Sequence, residues 1–279
     1  MNKKIFSRGG ISNYKNEDCV YLNNSFGFVL DGATGLIKEK ITNSISDAKW
    51  YAKEMKNYFI KNLRSNKNLK EILKDGISLI NKKYNQFDGA KKIKSLPSAS
   101  IALFRKLNDK IEYFVLGDCE LIIKTSDNKI NLIKRNDLSN LDSKNIKKLK
   151  EFATNKKINV VDALPLIKEN LIETRLSQNT DKGYWTLSNC KDAIDHGLYG
   201  TIDIKEVKQI VGLSDGFSQI YNVFHIYSFE QLANEIEKGL SLDEIYNKLY
   251  KAQESDKLCN KYPRFKIRDD ASIFDYEIK

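Results

Sequence analysis

The chain has 279 residues, 41% of them apolar and only three of them proline, which allows a sizeable core with no obvious hinge; one domain spanning residues 1–279 is expected. Its net charge of +10 comes from lysines spread over almost every segment, without the aromatic-interleaved basic ribbon of a nucleic-acid binder, so a nucleic-acid partner is not expected. Cys19, Cys119, Cys190 and Cys259 are scattered, form no Cys-x-x-Cys pair and have only His196 and His225 to help them, which argues against zinc and for reduced thiols.

Residues Met1 to Arg8 are basic but have no apolar stretch behind them, so a signal peptide is not expected. No apolar run in the chain is long enough for a bilayer, and a cytoplasmic location is the default. Asp18 to Tyr21, the turn Asn23-Asn24 and Phe26 to Leu30 read as a hairpin. Ala48, Ala52, Met55, Phe59 and Leu63 recur at helical spacing behind a possible N-cap at Ser46, and Ile72, Leu73, Ile77 and Ile80 form a second stripe. A meander of strands is expected at 98–104, 111–116, 121–124 and 130–133, with turns at Asn108-Asp109 and Asp127-Asn128. Residues 142–175 return to helical periodicity, broken near Pro165. The stretch 178–200 is mixed; 207–213 reads as strand, 229–252 as helix and 271–276 as the last strand. Strands arriving as meanders and helices arriving in pairs predict an α+β fold: two face-to-face, mainly antiparallel sheets covered by helices on both outer sides.

Three apolar runs end abruptly on an aspartate: Phe28-Val29-Leu30-Asp31, Phe114-Val115-Leu116-Gly117-Asp118 and Val211-Gly212-Leu213-Ser214-Asp215. Asp269-Asp270 stands immediately before a fourth β-like run. A carboxylate beside a buried strand is unfavourable unless it is paired or bound to a cation. Singly, Asp-Gly or Gly-Asp is an ordinary turn. Together, behind four apolar runs, these acids suggest one shared cation site, and oxygen-only donors suit hard divalent ions.

Asn16-Glu17-Asp18, Phe28 through Asp31-Gly32-Ala33-Thr34-Gly35, Ser98-Ala99-Ser100, Val115-Leu116-Gly117-Asp118-Cys119, Gly212-Leu213-Ser214-Asp215-Gly216 and Asp269-Asp270-Ala271-Ser272 form an ordered set. This set resembles the successive motifs of the metal-dependent serine/threonine protein phosphatases, the PPM or type-2C family, in its bacterial form. The resemblance implies a four-layer α-β-β-α sandwich with two, or with a third weaker one three, Mg²⁺ or Mn²⁺ ions at one end. It implies that Asp31 bridges the two core ions, that Gly32 lends its carbonyl, and that Asp215 and Asp269 complete the ligand set of the first ion. Glu17 and Asp18 would hold water on the second ion, and Asp118 would serve the third. A metal-activated water would then hydrolyse phosphoserine or phosphothreonine in a phosphoprotein, opposing a cognate Ser/Thr kinase, in a monomeric enzyme.

The chain departs from that pattern at Asn13, where the family carries an arginine that grips the substrate phosphate, and at Ala33, where many eukaryotic members carry a histidine. Lys15 and Arg8 are the cations available near the first position. The same departure admits a second reading, a pseudophosphatase or signalling module that keeps the fold with little catalysis. Outside the motifs, His196 beside Asp195 reads as a helix-end residue, His225 as packing, and Tyr184-Trp185 as packing more than a substrate groove.

Overall fold

The structure, a computed structural model, describes residues 3–33, 40–90 and 96–278; Thr34 and Gly35 of the second motif lie outside the described residues. In chain order the elements begin with β1 (Lys3–Arg8), β2 (Cys19–Leu22) and β3 (Phe26–Ala33), followed by α1 (Asp47–Asn62) and α2 (Leu69–Tyr84). Next come β4 (Ser98–Leu107), β5 (Lys110–Leu116), β6 (Glu120–Thr125) and β7 (Ile130–Ile133), then α3 (Asp137–Lys156), α4 (Val160–Ala163) and α5 (Lys168–Leu176). The last part holds β8 (Leu198–Asp203), β9 (Val207–Leu213), α6 (Asp215–Asn222), α7 (Phe229–Glu237), α8 (Leu242–Ser255) and β10 (Ala271–Glu277).

The strands form two five-stranded sheets in the orders β1-β10-β9-β6-β7 and β2-β3-β4-β5-β8. Every strand pairing is antiparallel. Alternation along a strand sends successive side chains to opposite faces, and here both faces are buried. Val29, Ala102, Phe104 and Val115 of one sheet meet Leu121, Ile123, Ile210, Phe274 and Tyr276 of the other in the central layer. Their neighbours Phe28, Leu30, Ile101, Leu103 and Phe114 point the other way, onto Met55 and Phe59 of α1 and Ile72 and Ile77 of α2. On the far side Ile122, Val211, Leu213 and Ile273 lie under Phe217, Ile220, Leu232, Ile245 and Leu249 of α6 to α8. That is the expected α-β-β-α sandwich, and it explains why the central strands read as continuous apolar runs.

Helix starts follow local chemistry. Ser46 accepts the Lys49 amide at 3.1 Å, as an N-cap before α1 should. Ser228 and Ser241 open α7 and α8 with capping boxes. The single helix expected over 229–252 is therefore two, separated at Gly239, whose φ of +104° no other residue type adopts cheaply. Three further elements were not expected: the edge strands β1 and β8, and α6.

A smaller core of Leu149, Ala153, Val160, Ala163 and Ile167 holds α3, α4 and the turn after it together, and it includes Cys259. Phe265 packs against this cluster, so α3 to α5 and the segment before β10 are joined at one end of the sandwich. All four cysteines are free thiols. Among the described residues no helix is long and apolar enough to cross a membrane.

Phe104 is fully buried, with its ring 5.6 Å from Phe274 and 4.9 Å from Tyr276 across the two sheets. Phe104→Ala should cost about 3–5 kcal/mol by opening a cavity in the central layer. Urea unfolding should show a lowered midpoint with an unchanged slope.

Candidate active site at the ends of both sheets

The sandwich brings the aspartates that terminate apolar runs to one end. Asp31 lies near the end of β3, paired in register with Ser100 of β4. Asp118 sits between β5 and β6, where the chain passes from one sheet to the other. Asp215 is the first residue of α6 after β9, and Asp269 and Asp270 lead into β10. A cavity of about 930 Å³ is lined by Glu17, Asp31, Gly32, Asp118, Asp215, Asp269 and Asp270 together. A second cavity of about 500 Å³ shares Asp118, Asp215 and Asp269 with it and adds Asp142 of α3.

Gly32 has a packing reason to be glycine. A Cβ there would lie 2.7 Å from the Glu17 carbonyl oxygen and 3.2 Å from that of Ala48. The backbone beside Asp31 is thus pressed against the loop that carries Glu17. Asp270 fixes that loop from the other side: its Oδ1 accepts the Gly10 amide at 2.8 Å and its Oδ2 the Glu17 amide at 2.7 Å. Asp18 is buried. Its Oδ2 accepts the Ser214 hydroxyl at 2.8 Å, while its Oδ1 is buried without a hydrogen-bond partner.

The electrostatics are those of acids crowded together on a half-buried cavity wall, with Asp18 buried beside them. Burial and the charge of Asp270 push Asp18 up to about 7, against the Ser214 and Ser272 hydroxyls that pull it down. Burial, Asp215 and Asp18 hold Asp31 well above the ordinary carboxylate range. Burial, Asp269 and Asp118 do the same to Asp215. Asp118 is raised by burial in spite of its hydrogen bond from Ser100. Asp142, which the sequence reading treated only as the start of a helix, is raised to about 7 by burial and by Asp118. Neighbouring carboxylates out of water favour the protonated form, and that is the condition a cation relieves.

One cation is already present. Lys266 Nζ contacts Asp269 Oδ1 at 2.6 Å. Its side chain is largely exposed, and against desolvation by its surroundings the charges of Asp269, Asp215 and Asp31 together raise its pKa. Among the described residues, no group of three or more His, Cys, Asp or Glu side chains is drawn in tightly enough to hold an ion as it stands. The donor set nevertheless fits hard divalent ions: several carboxylates, no thiolate or imidazole, and a buried carboxylate oxygen on Asp18 with an unmet lone pair.

The residues singled out in the sequence fall into three places. Asp31, Gly32, Asp118, Asp215, Asp269, Glu17 and Lys15 line the larger cavity, and Asp18 is buried, not among the lining residues but near enough to Asp31 for its charge to act there. Arg8 is not among the residues lining it; its guanidinium lies 5.9 Å over the Tyr246 ring of α8. Asn13 donates nothing to the cavity and accepts the Gly9 amide at 3.1 Å. His196 stacks on Trp185 at 3.5 Å, and His225 Nδ1 lies 2.8 Å from the Tyr221 carbonyl. Sequence reasoning missed Lys266, Arg268 and Arg175 as cavity residues. Lys266 stands three residues before Asp269, a spacing that could have been noticed. Arg175 is carried by a helix surface that gives no such signal.

No protein-family model matches the sequence, and no curated protein sequence matches it. Solved structures do. The Mycobacterium tuberculosis serine/threonine phosphatase PstP/Ppp superposes with a TM-score of 0.58 at 11% identity, over 100% of this chain and 98% of that one. The serine/threonine phosphatase Stp1 from Staphylococcus aureus gives 0.56 at 12% identity, over 100% and 95%. The catalytic domain of PstP in complex with two manganese ions gives 0.52 at 12% identity, over 99% and 97%. This likeness establishes the fold: the chain is built as the PPM-type, or type-2C, bacterial Ser/Thr phosphatases are.

The raised acids have a consequence for stability. A carboxyl whose native pKa lies above its unfolded value contributes fully below about pH 4, and that contribution is lost as pH rises through about 7 for Asp18. After removal of divalent ions with EDTA, the contribution of these acids to the urea midpoint should be greater at pH 5 than at pH 8. Added Mn²⁺ should raise the midpoint more at pH 8 than at pH 5, with release of protons. An equal Mn²⁺ effect at both pH values would show that these acids do not act as one array.

Proposed function

We propose that this protein is a Mg²⁺- or Mn²⁺-dependent phosphatase that hydrolyses phosphoserine and phosphothreonine in proteins, as the counterpart of a Ser/Thr kinase. The observation that carries this reading is the convergence of Asp31, Asp118, Asp215 and Asp269, from widely separated strand ends in both sheets, on one cavity. The structurally similar PstP domain holds two manganese ions, which agrees with the donor chemistry here. Asp31 and the Gly32 carbonyl would hold the core ions together, Asp215 and Asp269 one of them, Glu17 and Asp18 the waters of the other, and Asp118 a third. When bound, such ions neutralise phosphoryl charge and activate water.

The chain's own residues have separable tasks. Asp270 fixes the Gly10 and Glu17 amides and so holds the Glu17 loop against β3. Ser214 orients Asp18 through its hydroxyl and also accepts the Ser272 amide at 2.9 Å, tying α6 to β10. Lys266 neutralises Asp269. Both histidines are engaged elsewhere, and the raised carboxyl beside the site that is not assigned to an ion is Asp142.

Purified protein with Mn²⁺ should turn over p-nitrophenyl phosphate and a phosphothreonine peptide, and EDTA should abolish the activity. Asp31→Ala should lower the rate by roughly 10³-fold, the several kcal/mol expected of a lost metal clamp. Wild-type turnover no higher than that of Asp31→Ala would defeat the enzyme reading. Mn²⁺ binding together with inactivity on a broad phosphoester panel would favour the pseudophosphatase instead, a reading that the engaged Asn13 keeps in play.

A further inference from the structure

A phosphoryl dianion entering a cavity walled with carboxylates needs a positive group that is free to face it. Among the described cations around the cavity, most are already committed. Lys266 is paired with Asp269 at 2.6 Å. Arg268 Nη1 contacts Glu254 at 3.1 Å, with its guanidinium over the Tyr250 ring at 5.1 Å. Lys15 is an exposed side chain at the end of a short 3-10 turn, a rotatable point charge at the rim.

Arg175 differs from all three. It belongs to α5, yet it lines the same cavity as Asp31 and Asp215. Its Nη2 donates to the carbonyl oxygen of Ala33, the residue that follows Asp31-Gly32. Its Nη1 donates to the Tyr184 hydroxyl at 3.2 Å. Tyr184 is itself held by a segment fastened to β4, where Leu187 and Ala99 exchange amide bonds of 3.0 and 2.9 Å and the Thr186 hydroxyl donates to Ala99 at 2.7 Å. The guanidinium is therefore oriented from two sides. It has five N–H groups, and its Nε is buried with no hydrogen-bond partner. The bonds to Ala33 and Tyr184 use one N–H each of Nη2 and Nη1, and the N–H left on each of these nitrogens is a donor that a phosphoryl oxygen at the cavity wall can accept from.

We propose that Arg175 binds the phosphoryl group of the substrate, presenting a planar guanidinium held by Ala33 and Tyr184 to the anion beside the acidic cluster. This rests on the phosphatase reading above. The task falls to α5 because position 13 is an asparagine engaged with Gly9. Arginine suits it through a fixed fork of donors that a lysine does not offer.

The test uses the full chain with Mn²⁺, inorganic phosphate as the calorimetric probe, and p-nitrophenyl phosphate for KM and kcat. Arg175→Ala should weaken phosphate binding and raise KM by about 10- to 100-fold, the range for a charged hydrogen bond. Mn²⁺ affinity and melting temperature should stay near wild type. Arg175→Lys should lose part of the phosphate affinity, and it remains readable if the alanine variant does not fold. Unchanged phosphate affinity and KM in these variants would overturn the inference. So would a loss matched by an equal loss of Mn²⁺ affinity and melting temperature, which would mean that Arg175 only holds Ala33 in place. Arg175-dependent phosphate binding in a protein without turnover would support the inference while removing the phosphatase reading. Robust turnover insensitive to Arg175 would do the reverse.

Discussion

Repulsion among crowded, largely half-buried carboxylates is the constraint around which this end of the molecule is organised. Asp31 and Asp215 are raised well above the ordinary carboxylate range by burial and by their acidic neighbours, and Asp18 is raised to about 7 for the same reasons. A flexible loop would relieve such crowding by swinging the acids into water. These acids are carried by strand ends and by the first turn of α6, and the strands are buried on both faces by Phe28, Phe104, Phe114 and Phe274. Close packing of that kind transmits position and resists adjustment. The core therefore does more than stabilise the chain; it keeps unfavourable charges where a cation can use them.

The same constraint explains the polar bonds around the acids. Asp270 accepts two backbone amides, Ser214 donates to Asp18, and Ser100 is hydrogen-bonded to Asp118. Each bond orients a carboxylate or the loop beside one. The segment before β10 is shaped by a buried ion pair: Arg264 contacts Asp256 at 2.9 Å, and its remaining donors reach the carbonyls of Tyr262, Ile267 and Asp256. Asp256 also accepts the Lys261 and Tyr262 amides. A buried pair with its other valences filled tolerates its desolvation. Here it sets the course of the chain that delivers Lys266 and Asp269 to the cavity.

What the sequence made legible, and what it hid, follows from which signals are local. The strands carrying Asp31, Asp118 and Asp215 were readable because apolar runs stop on an acid, and the two packed sheets whose ends bring them together follow from the meander order. The edge strands β1 and β8 were not readable. Lys3, Ile5 and Ser7 of β1 and Leu198 and Tyr199 of β8 are exposed, so neither strand shows a clear alternation of apolar and polar positions. Helix α6 was hidden behind Asp215-Gly216, a dipeptide that reads as a turn, although Phe217, Ile220 and Tyr221 bury a helical stripe. Asp142 and Arg175 gave no signal because each sits on a helix whose residues look solvated; only the packing of α3 to α5 against the end of the sandwich brings them inward.

The cavity is an acidic island in a chain with a net charge of +10, and the two features are complementary. Lys147, Lys148 and Lys150 on α3 and Lys156 and Lys157 at its end contribute to that positive charge. A field of this sign draws anions toward the protein, although salt limits its reach to about 10 Å at moderate ionic strength. Close to the acids the sign reverses, and the same anion would be repelled by an uncompensated cluster. Divalent ions on the carboxylates and the guanidinium of Arg175 would each lower that barrier. The proposed chemistry would thus draw on both halves of the cavity: the acids at the strand ends and the arginine that α5 brings to its wall.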